Sequence, residues 1–188
     1  MADELTLDIR TGLPDALRVL LDEHPRDLWD SHVRFDGLTR FWLERHLMFR
    51  TLIDRIGDES RSIVERSAEP GQAVRNTARY AQLLLGELHG HHQIEDLHYF
   101  PRLLAAEPRL VRGFDILDGD HHALDGQLAA LAGAVNGLIR ATPADQRDRA
   151  GALGTTLAGF GRFLDRHLVD EEDLVVPILL KHGEALGV

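Results

Sequence analysis

Two stretches of this chain are near-copies of one another: His91-His-Gln-Ile-Glu95-Asp-Leu-His-Tyr-Phe-Pro101 and His167-Leu-Val-Asp-Glu171-Glu-Asp-Leu-Val-Val-Pro177. In each, a Glu follows a His at the i+4 position, and a Pro follows that Glu six residues later. On a helix that spacing turns through only about 40° net, so imidazole and carboxylate share a face one turn apart. Two such faces directed at each other would present nitrogen and oxygen donors to a metal. A metal site built this way requires a fold in which the helices converge.

The remaining pattern is helical throughout, with Pro and Gly falling mostly between long periodic segments and no hairpin signal. A short leading helix is predicted from Pro14, with Pro in a favoured first-turn position, to just before Pro25. Four long helices are predicted at about 28–56, 72–105, 109–141 and 142–182. The first carries apolar positions Val33, Phe35, Leu38, Phe41, Trp42, Phe49, Leu52 and Ile53. Pro101 should bend or end the regular part of the second, Glu107-Pro108 should break the chain, and Thr142 should cap the fourth. The predicted fold is all-α: an antiparallel up-down-up-down four-helix bundle with a short N-terminal leading helix. Residues 1–26 are the N-terminal extension and residues 27–188 the bundle.

At 188 residues the chain is long enough for a core that needs no staples. It has no cysteine, which excludes disulfides, thiolate metal sites and cysteine nucleophiles. No apolar run approaches the ~20 residues of a membrane span, and the acidic Met1-Ala-Asp-Glu-Leu start lacks the apolar segment of a secretory signal. A soluble, cytoplasmic protein with no membrane partner is expected. Lys plus Arg number 21 against 31 Asp plus Glu, a net −10 that argues against a nucleic-acid partner. The 11 histidines are the compositional anomaly.

A weaker repeat connects them. One offset carries His91 to His167, Glu95 to Glu171 and Pro101 to Pro177; an offset one residue shorter carries His46 to His121. The chain reads as two helix pairs, each offering a lone His and then a His-x-x-x-Glu. Candidate metal ligands are His46, His91, Glu95, His121, His167 and Glu171, with His92 and Asp125 given less weight. Imidazole and carboxylate without thiolate suit iron, manganese or zinc. Two carboxylates bridging two cations would partly neutralise the pair and leave positions open for a small ligand.

These segments resemble the hemerythrin-like (HHE cation-binding) family. The matching residues are Arg45-His46-Leu-Met-Phe-Arg-Thr-Leu, His91-His-Gln-Ile-Glu95-Asp with Phe100-Pro101, Asp120-His121-His-Ala-Leu124, and His167-Leu-Val-Asp-Glu171-Glu, within a resemblance covering about Leu28 to His182. It implies an antiparallel four-helix bundle around a non-heme di-iron centre, two iron ions bridged by Glu95 and Glu171. The expected partner is a small diatomic ligand or peroxide: dioxygen, peroxide or nitric oxide to bind, sense or react with. The oxygen carriers have a second His one turn after the one on the third helix, where this chain has Asp125, and they end the fourth-helix motif in Asp rather than Glu171. Both differences enrich the site in carboxylate, which stabilises the ferric state. The alternatives are a di-iron oxidase/oxygenase or peroxide-consuming enzyme, and a metal-free structural or interaction bundle.

Other polar residues receive plainer expectations. His121 and His122 are helix neighbours about 100° apart, so His122 belongs on the surface. His98 is expected near the bundle end and His32 in a cap or polar network. The run Asp170-Glu171-Glu172-Asp173 has one residue in register with His167, and its others read as a hydrated face. Trp42, Phe49, Leu88, Leu117, Leu124, Phe163 and Leu164 are expected core, and Tyr99 is expected to be structural.

Overall fold

The computed structural model describes residues 5–35 and 37–186. The acidic Met1–Glu4 stretch, Asp36 and the last two residues lie outside them. The fold is all-α, and among the described residues there is no strand. In chain order the helices are α1 (Val19–Glu23), α2 (Gly37–Glu65), α3 (Pro70–Ile94), α4 (Phe100–Ala106), α5 (Val111–Ile139) and α6 (Gln146–His182). Among the described residues no helix is long and apolar enough to cross a membrane.

The first long helix is displaced from its predicted place, starting at Gly37 rather than near Leu28 and running on to Glu65. Upstream, Arg26–Ser31 is a 3-10 helix closed by the His32 N–H donating to the Trp29 carbonyl, and His32 itself is extended, so the helical path stops there. Val33, expected on the apolar stripe, is 95% exposed. Downstream, the buried stripe continues through Ile56, Ser60 and Ile63, which carries the helix past the predicted end. It stops where Arg66 takes φ 56°. The Ser67 N–H then donates to the Ser62 carbonyl and the Arg66 N–H to that of Ile63, the paired closure of a left-handed C-terminal turn.

The described residues form two compact units, the first drawn from Met1–His46, His91–Ala123 and Asp165–Val188, the second from Leu47–Gly90 and Leu124–Leu164. In the first, Leu13, Leu17 and Leu20 join Trp42, Phe100, Phe114, Leu117, Leu174 and Ile178 in one core. The N-terminal residues are thus part of that packing. In the second, Phe49, Leu84, Leu88, Leu131, Leu153 and Phe160 are buried, and the Ser60 hydroxyl donates to the Ala150 carbonyl.

Pro101 and Pro177 occupy equivalent positions in the repeat but have different effects. Before Pro101 the chain makes a π-helical turn, Glu95–Tyr99, with the Phe100 N–H donating to the Glu95 carbonyl. A proline ring clashes with the carbonyl four residues back, and a wider turn relieves the clash. Pro177 sits inside α6 without interrupting it. The internal repeat is therefore asymmetric in backbone as well as in sequence.

Two glycines of α5 give opposite expectations. A Cβ on Gly113 would lie 2.9 Å from both methyl carbons of buried Leu174, whereas one on exposed Gly133 meets nothing within 4 Å. Gly113→Ala is expected to destabilise by about 1–2 kcal/mol through overpacking. Gly133→Ala should stabilise by about 0.5–1 kcal/mol through helix propensity. Denaturant titration of the two variants checks both signs.

Buried Glu107, at the predicted break before Pro108, ties that bend to the end of α6. Its carboxylate accepts from Lys181 and Arg109 and lies 2.9 Å from His182 Nε2. Burial acts to raise the carboxyl, but these donors outweigh it and hold it at about 2 instead of its ordinary 4.5. A depressed folded-state value means stability present above about pH 4.5 and lost as pH falls through about 2. Acid unfolding of the wild type should show this loss between those limits, and Glu107→Gln should remove that part of the pH dependence.

Candidate metal centre

All the sequence-predicted donors except Asp125 come together within the first compact unit. His46 comes from α2, His91 and His92 from the last turn of α3, and Glu95 opens the π turn. His121 comes from α5, and His167 and Glu171 from α6. His91 is nearly buried and the other six are buried. π turns concentrate at functional sites because they break the regular register of a helix.

The donors form two groups, His46–His91–Glu95–Glu171 and His92–His121–His167, with ligand atoms inside each lying within 4.8 Å of one another. The carboxylates face both. Glu95 places Oε1 2.9 Å from His91 Nε2 and Oε2 3.7 Å from His121 Nε2. Glu171 places Oε1 3.4 Å from His46 Nε2 and Oε2 3.4 Å from His167 Nε2. Each glutamate thus offers one oxygen to each group.

Most of these atoms lack a hydrogen bond. Nε2 of His92, His121 and His167, both oxygens of Glu95, and Oε2 of Glu171 are buried without a hydrogen-bond partner. Leaving one buried polar atom unsatisfied costs about 1–3 kcal/mol, so six at one locus would be a heavy penalty for a purely structural core. Lone pairs converging on shared points are what a cation requires, and a donor set of imidazole and carboxylate fits iron, manganese or zinc.

Outer carboxylates fix which ring nitrogen faces inward. The Nδ1 atoms of His46, His121 and His167 lie 3.0, 2.8 and 3.2 Å from Glu172, Asp96 and Asp120, respectively. With Nδ1–H donated outward, Nε2 is left as the inward donor. The Trp42 indole N–H donates to Glu171 Oε1 at 2.6 Å, and its ring lies edge-on to Tyr99 with centroids 5.0 Å apart.

Electrostatics separates the two glutamates. Burial, reinforced by the Glu171 charge, pushes the Glu95 carboxyl well above the carboxylate range. Burial acts the same way on Glu171, but the charge of His46 and the close approach of the His167 and His46 ring nitrogens outweigh it and hold Glu171 ionised. His167 rises to about 9 despite burial, because Asp120 and Glu171 favour its cation. Burial, aided by the charges of His46, His167 and His121 and only partly offset by that of Glu171, brings His91 down to about 3.

Several expectations need correction. Asp125 is exposed and belongs to neither group, because beyond His121 the buried stripe of α5 runs through Leu124 and Leu128. His92 stands in the second group instead, stacked on His121 with ring centroids 4.0 Å apart. His98 is exposed. Asp170, Glu172 and Asp173, read as a hydrated face, are buried along with Glu171, because arginines from distant parts of the chain neutralise them. A signal was available: Leu174 to Leu180 is apolar on every side, so α6 has no wet face there. His122 is on the surface, and Trp42, Phe49, Leu88, Leu117, Leu124 and Leu164 are buried as expected. Phe163 is only partly buried. Sequence reasoning missed Asp96, Asp120, Arg10 and Arg26.

Comparisons with curated proteins and with solved structures found no match. The family model described as Hemerythrin HHE cation binding domain matches residues 37–179, which include every donor of both groups. The chain belongs to the hemerythrin HHE cation-binding domain family.

Proposed function

We propose that the seven converging side chains hold two iron ions and that the pair binds, senses or reacts with dioxygen, peroxide or nitric oxide. His46 and His91 serve one ion, His92, His121 and His167 the other, and Glu95 and Glu171 lie between them. The observation that carries this reading is the pair of glutamates, each turning one oxygen to each histidine group, with most inward atoms lacking any other partner. Such an iron pair supplies exchangeable electrons and coordination positions for a small ligand. The protein orients the imidazoles through Glu172, Asp96 and Asp120, excludes bulk water by burial, and donates the Trp42 N–H to Glu171.

His92 also bears on which chemistry is favoured. The histidine missing at Asp125 is replaced in number from another helix, so Asp125 adds no carboxylate to the site. Glu171 in place of Asp exchanges one carboxylate for another, so no ground is left for expecting a carboxylate-enriched centre, which favours small-ligand binding or sensing over substrate oxidation. Protein purified from iron-supplemented cells is expected to carry two irons per chain and to change its optical spectrum on exposure to nitric oxide. Stoichiometric zinc with no iron after native purification would overturn the assignment.

A further inference from the structure

Two arginines ahead of the family-matched residues reach the outer carboxylates of the centre. Arg10 is buried and donates through Nε to Asp170 and through both terminal nitrogens to Asp120, the carboxylate against His167. Arg26 donates through NH1 to Glu172 at 2.8 Å and through Nε to Asp173 at 2.6 Å; Glu172 is the carboxylate against His46. The arrangement is parallel: arginine, carboxylate, imidazole, once for each donor group. Further contacts hold the segment in place. The Leu13 N–H donates to Asp170, Arg166 donates to the Thr11 carbonyl, and the Arg26 guanidinium lies 4.8 Å above the Trp29 ring.

We propose that residues 5–31 are a working part of the metal centre, with Arg10 and Arg26 as positioning residues that act through Asp120 and Glu172 on His167 and His46. The inference rests on the two-ion reading above. A carboxylate that accepts from a ligand imidazole fixes the ring and raises its basicity, and losing such a partner typically costs 10–100-fold in metal affinity. A buried carboxylate with a second oxygen to satisfy needs its own cation. The planar guanidinium supplies that charge in a fixed fork, which a lysine cannot reproduce. The third imidazole pair, His121 with Asp96, differs in kind: the Asp96 side chain is 32% exposed, whereas Asp120 and Glu172 are buried.

A double-mutant cycle on Arg26 and Glu172 tests this, with cobalt(II) as the probe and the full-length protein throughout. Arg26 is 40% exposed, so Arg26→Gln should fold normally. Wild type should bind two cobalt ions with resolvable affinities and a visible ligand-field spectrum. Arg26→Gln and Glu172→Gln should each weaken one of the two ions by about tenfold or more and shift its absorption. The double variant should be no weaker than Glu172→Gln alone, because the arginine acts through that carboxylate. Arg10→Lys should weaken the other ion. Unchanged cobalt affinities and spectrum in Arg26→Gln would overturn the proposal, as would additive losses in the double variant or equal weakening of both ions. A wild type that binds no cobalt would instead sink the two-ion reading itself.

Discussion

Glu95→Met is expected to give a chelator-stripped protein more stable than stripped wild type by about 1–3 kcal/mol, and one that takes up metal at neither group. The two halves of this result have one cause. Both oxygens of Glu95 are buried without a hydrogen-bond partner, and burial with the neighbouring Glu171 charge drives its carboxyl upward. A side chain of similar length without polar atoms removes that penalty. It also removes the oxygens that face His91 and His121, and with them a donor to each ion. An ordinary core ion pair would behave in the opposite way, since breaking it leaves an uncompensated charge and costs stability. Chemical denaturation of stripped and loaded samples, with metal content measured on the same material, reads both halves. A stripped variant less stable than stripped wild type would contradict the account.

Metal removal should have an even larger effect in wild type. Binding to the folded state alone adds RT ln(1 + [L]/Kd), so free metal a thousandfold above the dissociation constant contributes about 4 kcal/mol per ion, or about 8 kcal/mol for two. Stripping should therefore lower the melting temperature sharply, and the midpoint should rise with free iron(II) or cobalt(II). The donor positions predict where the effect is felt. All seven lie in one compact unit, so hydrogen exchange should accelerate first around His91–Ala123 and Asp165–His182 and less in Leu47–Gly90. Identical melting of stripped and loaded protein would refute the linkage.

Four of the candidate donors were legible in sequence because a ligand pair at i and i+4 is a local pattern that a helix must place on one face, and His46 and His121 because the internal repeat relates them. His92 was harder to place, since neighbours on a helix cannot address one point. They can address two points, and here His91 and His92 do, with ring centroids 5.9 Å apart. Asp125 misled for the complementary reason: helical spacing from His121 puts it nearby in angle, but the packing stripe steps to Leu124. The start of α2 was misplaced because apolar residues at helical spacing continue upstream through Val33, where His32 is extended. The outer arginines could not be read at all. Nothing local links Arg10 to Asp120 or Arg26 to Glu172, so the partners of the buried acidic run come only from the tertiary fold.

Anomalous diffraction from crystals of iron-loaded protein should show two iron peaks, one ligated by His46 and His91, the other by His92, His121 and His167, with Glu95 and Glu171 each touching both. A single peak, peaks away from these side chains, or glutamates that contact no metal would contradict the two-iron centre.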